Sequence, residues 1–585
     1  MSSQASWIFP QGGTEGSLRE IILRHRGLTN ERDQALFATH LPPLSLLNPP
    51  ATLPGADAAA EALDDWIKQG LSIAIYGDYD ADGICAAAIV SRLLGLFDAK
   101  SRVFIPHRID EGYGLHAEAL KQLQAEGVQA VITVDCGIRS FAEAEVAAQL
   151  GLRLIITDHH RVDRAEDGSV RLPKAQAVAH PSLGGCPFEM ISGSVVAFKV
   201  AKRLVRLRGG ERPPELLRNW VVDTAMPLAA IGLVADVMPL LDENRVLVAN
   251  TVQRLATCGV LGVQAILREA GVDTRSIDAR TISHQIAPRL NATGRLEAAT
   301  DALLAMQTLD ESQANTAAYR LETVNTLRKQ RMNELIEITA AAAVAGGFDQ
   351  PSCPAIVMAD TSWHPGLIGL AAARLVDRFH KPVVLCGGDD LFLKISGRSP
   401  PSIDLHACMQ DCTTLLAKFG GHAAAAGGSI DPANMPAFMT AFEQAVLLRM
   451  HGPVQPRPVH IDISMPIEQA MDSIEMIRSL RPFGKDFVEP VIHCSNLCVR
   501  DASVMGKGGV HLKIRVNTKG SACTTELMWW QQGARVAECR PGRMMQVVGG
   551  PKPPTNPRFP STFVVLDLHF EDAAPSATRP NADLK

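Results

Sequence analysis

The sequence contains no stretch of about 18 uninterrupted apolar residues, which is the length that a membrane-spanning helix requires. Its first residues, MSSQASWIFPQGG, also lack the charged start and the apolar run of a secretory signal. These absences predict a soluble, cytoplasmic protein that has no membrane partner.

Cysteine pairs of the kind that bind zinc are missing as well. The 12 cysteines stand singly, and the closest pairs, Cys408/Cys412 and Cys494/Cys498, do not have the CxxC spacing of a zinc site. We interpret them as reduced thiols in the core. The formal net charge of −5 argues against a chain coated in basic surface, although it leaves room for a local basic channel.

The chain does have enough apolar residues to build several buried cores. They make up 46% of its 585 residues, so it should fold as about three or four domains of ~100–200 residues each. Short apolar runs alternate with helical patterns between residues 58 and 240, which indicates a parallel α/β sheet. The predicted strands are 72–77, 102–106, 130–134, 153–157 and 175–179.

The rest of the chain changes character twice. Residues 245–345 have helical periodicity, and the run 311–345 is long enough for one spanning helix. A second α/β unit begins at PAIVMAD, and a Pro-rich linker precedes closely spaced short strands that are typical of a small β-barrel. The predicted segments are an N-terminal extension (1–50), a first α/β domain (51–245), a helical connector (246–345), a second α/β domain (346–450), a β-barrel (459–570) and a disordered tail (571–585).

Acidic residues and histidines stand immediately after the predicted strands. GDYDADG follows the first strand, VDCG ends the third, and TDHH ends the fourth. Because the ligand crevice of an open α/β sheet lies at the carboxyl ends of its strands, these groups should converge on one site. The set comprises Asp78, Asp80, Asp82, Asp135, Asp158, His159 and His160, with Asp236 in VADVMPL as a further candidate.

Each motif also has a purely structural interpretation. Taken alone, DYDADG is a turn whose aspartates cap the helix that starts near Ile84, and a histidine after a strand is usually a loop residue. About five carboxylates in one crevice, however, would repel one another strongly without cations. Carboxylates and imidazoles together suit Mn²⁺ or Mg²⁺ better than a structural zinc.

The motifs GDYDADG, VDCG, TDHH, AHP and VADVMPL resemble, in this order, those of the DHH superfamily of phosphoesterases. The segments IPHRIDEGYGL, APRLNATGRLEAA, SWHPGLIGLAAARL, SGRS and GGHAAAAGG are similar to those of its RecJ-type exonucleases, over about residues 50–570. The resemblance implies an α/β fold with a parallel-sheet DHH domain, a helical connector, a DHH-associated domain and an OB-like barrel. It also implies hydrolysis of single-stranded DNA from the 5′ end, with release of 5′-mononucleotides, in DNA repair and recombination.

The resemblance further implies a centre of two divalent ions, Mn²⁺ or Mg²⁺. Asp80, Asp82, Asp135, His159 and Asp236 would be ligands, with Asp135 between the two ions, while Asp78 and Asp158 would be ligands or would support them. His160 would contact the scissile phosphate or orient its neighbour. Asp135, His159 and His160 would thus form the catalytic group.

Other residues are candidates for holding the DNA. Arginine forks and Gly-rich turns bind phosphate well, although a Gly-rich turn can also be plain packing. Tyr113 would stack on a base or narrow the entrance to the site, or else it is a core tyrosine. The basic residues of segment 494–520 would line a groove that follows the DNA strand, or else they belong to a solvated hairpin. The phosphate candidates are Arg108, Arg289, Ser396, Arg398, Gly420, Gly421 and His422, and the basic residues are Arg500, Lys507, Lys513, Arg515 and Lys519, against one acid, Asp501.

Two other functions compete with this interpretation. The first is a DHH-family pyrophosphatase, or a phosphodiesterase for cyclic dinucleotides or short oligonucleotides, but those enzymes lack the long connector and the barrel. The second is a non-catalytic DNA-binding scaffold, which would have lost its ligands first, since unpaired buried carboxylates are costly. The expected partners are single-stranded DNA and, from the family's role in repair, a single-strand-binding protein and a repair helicase.

Overall fold

The computed structural model describes residues 6–13, 15–108, 111–389, 391–450, 458–518, 523–554 and 560–571. The chain divides into two compact units. We call Pro43–Val454 with Gly484–Asp486 the core unit, and Met1–Pro42, Gln455–Phe483 and Phe487–Lys585 the terminal unit. Beyond Glu571 the predicted disordered tail lies outside the described residues.

The described residues form strands β1 to β18. Their bounds are Trp7–Ile8 (β1), Ile73–Tyr76 (β2), Ser101–Phe104 (β3), Ala130–Val134 (β4), Arg153–Thr157 (β5), Ala177–Ala179 (β6), Ile356–Ala359 (β7), Val383–Gly388 (β8), Leu393–Arg398 (β9), Lys418–His422 (β10), Ala425–Ile430 (β11), Val459–His460 (β12), Ile463–Ser464 (β13), Ile492–Met505 (β14), His511–Thr518 (β15), Thr525–Trp529 (β16), Met544–Lys552 (β17) and Thr562–Phe570 (β18).

The same residues form helices α1 to α20. Their bounds are Leu18–His25 (α1), Glu31–Phe37 (α2), Ala56–Lys68 (α3), Ala81–Leu96 (α4), Ala117–Ala125 (α5), Phe141–Gln149 (α6), Gly193–Gly209 (α7), Glu215–Trp220 (α8), Met226–Ala235 (α9), Asp242–Val252 (α10), Leu261–Glu269 (α11), Ala279–Thr281 (α12), Ala287–Leu296 (α13), Thr300–Gln307 (α14), Glu311–Ala345 (α15), Pro365–Phe379 (α16), Leu405–Asp411 (α17), Met435–Leu447 (α18), Ile467–Asp472 (α19) and Ile474–Ser479 (α20). A π-helical turn, Val221–Ala225, joins α8 to α9. In the described part of the chain, no helix is both long enough and apolar enough to cross a membrane.

The first sheet of the core unit is parallel, with the strand order β3-β2-β4-β5-β6. Alternate residues of each strand enter two different cores, since Ile73 and Ile75 pack with α4 and α7 while Ala74 and Tyr76 pack with α5 and α6. Burial on both faces explains why β2 and β4 are continuous, largely apolar runs, whereas the edge strand β3 is partly exposed. All five predicted strands are confirmed, and their carboxyl ends share one edge.

The second sheet of the core unit has the order β10-β11-β9-β8-β7, in which only β7 and β8 are parallel. Helix α15 contacts α11, α13 and α14 at one end of the unit and α16 beside the second sheet. Its 35 residues span about 52 Å at 1.5 Å per residue. The predicted single helix over 311–345 is therefore confirmed.

The terminal unit contains a closed barrel of β14, β15, β16, β18 and β17, in which β17 pairs back onto β14. This arrangement confirms the predicted OB-like barrel. Residues from the start of the chain belong to the same unit, because β1 pairs with β12 and Arg26 forms an ion pair with Asp462 at 2.7 Å. Nothing in the sequence of the N-terminal extension indicated this association.

The barrel core should tolerate little loss of volume. Phe563 on β18 is fully buried, whereas Leu566 on the same strand is 56% exposed. We expect Phe563→Ala to lower the free energy of unfolding of the terminal unit by about 3–5 kcal/mol, because it removes buried apolar contacts and leaves a cavity. Leu566→Ala, the matched control, should change it by less than about 0.5 kcal/mol. Urea denaturation followed by tryptophan fluorescence measures both, and equal effects would contradict the described core.

Candidate metal centre and arginine pocket

The loop after β2 supplies the first three carboxylates. Asp80 caps the N-terminus of α4, where its Oδ1 accepts hydrogen bonds from the backbone N–H groups of Asp82 at 2.9 Å and Gly83 at 3.1 Å. The structural interpretation of this motif is therefore correct for Asp80. It does not compete with the functional one, because capping occupies one oxygen and leaves the other available.

Asp82 is held by the turn at the start of α7. Its carboxylate accepts hydrogen bonds from the Ser192 hydroxyl at 2.9 Å and from the backbone N–H groups of Gly193 at 2.7 Å and Ser194 at 3.1 Å. A side chain at Gly193 would not fit, since its Cβ would lie 2.3 Å from Asp135 Oδ1. Sequence reasoning missed this Ser-Gly-Ser turn, which lies far from the acidic motifs along the chain.

Three carboxylates from separate elements surround His159. Its Nε2 lies 3.1 Å from Asp135 Oδ1, 3.7 Å from Asp236 Oδ2 and 4.0 Å from Asp82 Oδ2. Asp236 reaches this point from the C-terminal cap of α9, and Asp135 follows β4 with a left-handed φ of 62°. That backbone conformation costs a non-glycine residue about 1–3 kcal/mol, which is typical of functional positions.

Asp158 supports its neighbours instead of facing the centre. Its carboxylate accepts hydrogen bonds from the backbone N–H groups of Ile138, His159 and His160 at 2.7–3.1 Å. It also accepts one from His160 Nδ1 at 2.8 Å. Since its oxygens accept these hydrogen bonds, we infer that Asp158 supports the ligands, which is the second of the two roles expected for it.

His160 contacts both the Asp158 carboxylate and Tyr113. The Tyr113 hydroxyl is 2.8 Å from His160 Nδ1, and the two rings are 4.9 Å apart. His180, the histidine of the AHP motif, bonds to the His160 backbone carbonyl at 2.8 Å. Tyr113 therefore contacts the His160 ring, and the residue as a whole is 45% exposed.

Burial and mutual repulsion dominate the electrostatics of the centre. Burial, followed by the charges of neighbouring aspartates, raises the pKa of Asp78, Asp80 and Asp135, and it raises the pKa of Asp236 to about 8. Although burial alone would lower it, the hydrogen bond to Asp158 raises the pKa of His160 to about 9. Burial alone would raise the pKa of Asp158, but the hydrogen bond from His160 and the charge of that ring lower it.

The arrangement fits divalent cations. Asp78 Oδ1 and Asp135 Oδ1 are buried atoms that accept no well-aligned hydrogen bond, although His159 Nε2 lies 3.1 Å from Asp135 Oδ1. Buried polar atoms normally have partners, so these two carboxylates lack one that an ion would provide. Three groups offer ligand atoms within 4.8 Å of one another, and they are Asp78/Asp80/Asp135, Asp82/His159/Asp236 and Asp135/His159/His160. Asp135 and His159 each belong to two of the three groups.

A cluster of arginines lies beside the carboxylates. Burial, followed by the charges of Arg108, Arg328 and Arg398, lowers the pKa of Arg295 to about 10. The Arg108 guanidinium lies 4.8 Å from the centre of the Tyr79 ring, in the loop that carries Asp78 and Asp80. Like charges gathered in this way indicate an anion site.

The second sheet and α16 contribute to the same cluster. Arg295 Nη1 donates to the Gly366 carbonyl at 3.3 Å, in the first turn of α16. A Cβ at Gly369 would lie 2.6 Å from Ser396 Oγ and 3.2 Å from Arg398 Nη2. The absence of a side chain there lets the helix approach Ser396 and Arg398 closely.

Arg289 does not belong to this cluster, so its predicted phosphate contact is corrected. It is buried on α13, where its Nε lies 2.5 Å from Glu322 Oε2. Arg295, six residues later, was not among the predicted residues. At 100° per residue the two side chains point to different faces of the helix, and the sequence does not show which face meets the site.

The Gly-rich hairpin of β10 and β11 lies beside β9, which carries Ser396 and Arg398. Gly420 on β10 pairs with Gly427 on β11, and Gly427 in turn pairs with Ser396 on β9. Likewise, His422 pairs with Ala425, and Ala425 pairs with Arg398. Gly420, Gly421 and His422 are exposed. The hairpin therefore places the predicted residues in register with Ser396 and Arg398, two strands away from them.

The barrel face carries charges of both signs. Lys513 Nζ lies 2.6 Å from Glu526 Oε1, and Arg515 pairs with Asp501. The predicted basic stripe is therefore partly neutralised on the folded surface, because Glu526 comes from a neighbouring strand outside segment 494–520. Lys519 lies outside the described residues.

Comparisons with known proteins agree with this architecture. Models of the DHH family N-terminal domain, the DHHA1 domain and the RecJ OB domain match residues 72–226, 353–447 and 461–554. The Escherichia coli single-stranded-DNA-specific exonuclease RecJ is 31% identical over 487 residues, which cover 80% of this chain and 82% of that protein. The chain belongs to the RecJ family. The Bacillus subtilis RecJ is 32% identical, and the match spans 86% of this chain and 61% of that relative.

Solved RecJ structures have the same fold. The crystal structure of RecJ in complex with Mn²⁺ from Thermus thermophilus covers 98% of this chain and 81% of that one, with a TM-score of 0.79 and 26% identity. The corresponding Mg²⁺ complex has a TM-score of 0.73 and 27% identity, over 94% of this chain and 74% of that one. RecJ proteins are thus known with both ions that the carboxylates and imidazoles here favour.

The different roles of Asp135 and Asp158 can be separated by metal binding. We expect Asp135→Ala to abolish binding of at least one Mn²⁺ ion, because Asp135 offers a buried oxygen to two of the three groups. Asp158→Asn should weaken Mn²⁺ binding by about 10–100-fold without changing its stoichiometry, since it only orients His159 and His160. Isothermal titration calorimetry measures both quantities.

Asp163→Asn is the matched control, because Asp163 pairs with Arg139 at 3.0 Å on the surface. It should bind Mn²⁺ like the unmodified chain. If Asp158→Asn loses an ion as Asp135→Ala does, Asp158 returns to the set of ligands.

Proposed function

We propose that this chain is a metal-dependent exonuclease that degrades single-stranded DNA from the 5′ end and releases 5′-mononucleotides. Its place in the RecJ family supports hydrolysis of single-stranded DNA, since the relatives are named for that activity. One observation carries the proposed 5′ polarity. We call the cluster of Arg108, Arg295 and Arg398 the arginine pocket. The Arg108 guanidinium lies 4.8 Å from the centre of the ring of Tyr79, which stands between Asp78 and Asp80, so the carboxylates and an anion pocket lie side by side.

Two divalent ions, Mn²⁺ or Mg²⁺, supply an activated water and screen the charge of the scissile phosphate when they are bound. Asp78, Asp80 and Asp135 would hold one ion, and Asp82, His159 and Asp236 would hold the other. Because Asp135 Oδ1 lies 3.1 Å from His159 Nε2, we expect Asp135 to contribute to both. Asp158 and Tyr113 fix the ring of His160, and the hydrogen bond to Asp158 raises the pKa of this ring against the effect of burial. A protonated His160 donates a hydrogen bond to a phosphate oxygen and stabilises the charge that develops there.

The arginine pocket explains where the strand ends. Arg108, Arg295 and Arg398, with the Ser396 hydroxyl and the N-terminal turn of α16, would bind the terminal 5′-phosphate. A chain end held there places the next phosphodiester at the neighbouring carboxylates. Hydrolysis then proceeds one nucleotide at a time.

The barrel would hold the strand that follows. Trp530 directly follows β16 and is 49% exposed. The centre of its ring lies 4.8 Å from that of His511 at the start of β15. Bases stack on such side chains without regard to sequence. Lys513 and Arg515 would contribute by exchanging their weak surface ion pairs for phosphates.

The competing functions have less support. A pyrophosphatase or a cyclic-dinucleotide phosphodiesterase does not need a barrel, and a non-catalytic scaffold would not need to keep every carboxylate of the centre. A role in DNA repair and recombination, a cytoplasmic location and association with a single-strand-binding protein or a repair helicase belong to the same proposal.

Digestion of end-labelled DNA with Mn²⁺ tests the activity. We expect mononucleotides from the 5′ end of single strands, little product from blunt duplexes, and at least a 10²-fold lower rate for Asp135→Ala, because transition-state charge is no longer stabilised. Product that appears first from the 3′ end would contradict the polarity. Hydrolysis of pyrophosphate or cyclic dinucleotides, without hydrolysis of DNA, would be compatible with the DHH superfamily but would contradict single-stranded DNA as the substrate.

The same assay tests the pocket when the DNA carries either a 5′-phosphate or a 5′-hydroxyl. The unmodified chain should prefer the phosphate, and Arg398→Gln should reduce that preference about tenfold or more by removing a charge-assisted contact. Arg374→Gln, on the exposed face of α16 next to Asp377, is the matched control. An unchanged preference in Arg398→Gln would place the terminal phosphate elsewhere.

A further inference from the structure

A buried asparagine connects two backbone segments that lead to metal ligands. Asn244 lies in the first turn of α10 and is completely buried. Its side-chain amide donates hydrogen bonds to the Met190 carbonyl at 2.7 Å and to the Pro239 carbonyl at 2.9 Å. Because Asn244 offers no ligand atom to any of the three ligand groups, it acts on an ion only through the segments that it holds.

The first of these segments leads to Asp82. Met190 stands two residues before Ser192, and the turn that begins at Ser192 holds the Asp82 carboxylate through one hydroxyl and two backbone N–H groups. Met190 is 47% exposed, so its side chain contributes little packing at this point. The hydrogen bond from Asn244 therefore fixes the backbone where it enters the turn.

The second segment starts at Asp236. Val237, the next residue, has a left-handed φ of 56°, which is a strained outlier for a β-branched residue. Val237 is also 60% exposed. Strained backbone persists only where the surrounding structure holds it in place. The hydrogen bond from Asn244 to the Pro239 carbonyl, three residues after Asp236, is such a restraint, and its loss would let Asp236 move.

The two segments also approach each other closely on the other side of Asp82. A Cβ at Gly232 on α9 would lie 2.3 Å from Asp82 Oδ1 and equally close to Ser194 Oγ. The Ser194 hydroxyl donates to the Ala229 carbonyl of the same helix at 3.1 Å. Helix α9 and the Ser-Gly-Ser turn are therefore packed together around Asp82, and Asn244 connects them again beyond the end of α9.

We propose that Asn244 is a positioning residue for the ion that Asp82, His159 and Asp236 would hold, which we call the second ion. By holding two carbonyls on one amide group, it sets the distance between Asp82 and Asp236. Metal ligands must lie within about 0.2 Å of their ideal distances, so a small shift of either segment is enough to weaken binding. This proposal rests on the two-ion centre proposed above.

The other ion should not depend on Asn244. Its ligands would be Asp78, Asp80 and Asp135, which follow β2 and β4 and lie outside both segments. A selective effect on one of two ions therefore distinguishes positioning from a general loss of stability, which would weaken both.

Isothermal titration calorimetry of the full chain with Mn²⁺ tests the proposal. We expect two binding sites in the unmodified chain, and Asn244→Ala should weaken one of them about 10–100-fold while leaving the other unchanged. Asn244→Leu, which keeps more of the side-chain volume but has no donor, should have the same selective effect. Asp236→Ala identifies the second ion, because it removes a ligand of that ion. Adding Asn244→Ala to Asp236→Ala should then cause little further loss, since the two changes act on the same ion.

Asn250→Ala is the matched control, because Asn250 is a buried asparagine of the same helix whose side chain donates to the Val246 carbonyl at 2.9 Å. It should leave the Mn²⁺ affinity of both sites unchanged, even if it lowers the melting temperature as much as Asn244→Ala does. Unchanged Mn²⁺ binding in both Asn244 variants, equal weakening of the two sites, or the same weakening by Asn250→Ala would overturn the proposal. A single Mn²⁺ ion in the unmodified chain would instead contradict the two-ion centre itself, and the proposal with it.

Discussion

Repulsion between buried carboxylates is the constraint on which this structure depends. Asp78, Asp82, Asp135 and Asp158 are almost completely buried near the carboxyl ends of three neighbouring strands. Burial and mutual charge raise the pKa of Asp78 and Asp135, so the folded protein holds them together against a considerable cost. Cations offset that cost, which ties the stability of this edge of the sheet to the function proposed for it.

The protein contributes geometry to this site mainly through backbone groups. Asp82 is oriented by the N-terminal turn of α7, Asp80 by the first turn of α4, and Asp158 by three N–H groups beside it. Gly193 is required because Asp135 lies where a side chain would be. A network of this kind allows the carboxylates to keep one arrangement whether a phosphate approaches or leaves.

Strong local patterns made part of this structure predictable. The strands 130–134 and 153–157 and the helix 311–345 have the predicted bounds, because an uninterrupted apolar run or a long periodic run specifies them. The positions of the acidic motifs at strand ends also predicted their convergence. The family resemblance then implied a centre of two ions, whereas the motifs alone indicated only that divalent cations bind there.

Features that depend on tertiary contacts were not predictable. Arg289 and Arg295 lie in one motif, and only the rotation of α13 decides which of them reaches the pocket. The sequence alone does not distinguish Asp158 from a metal ligand, because the backbone N–H groups that bond to its carboxylate are brought together only by the fold. The N-terminal extension joins the terminal unit through scattered contacts, among them a short strand, an ion pair of Arg26 with Asp462 and burial of Ile21 in the barrel core, and no periodic signal in the sequence marks them.

The central claim is that two ions share Asp135. Anomalous diffraction from crystals grown with Mn²⁺ measures this directly, since each ion gives its own peak. The account predicts two peaks about 3.5–4 Å apart, with one oxygen of Asp135 near both and Asp158 bound to neither. A single peak, or a peak coordinated by Asp158, would contradict it.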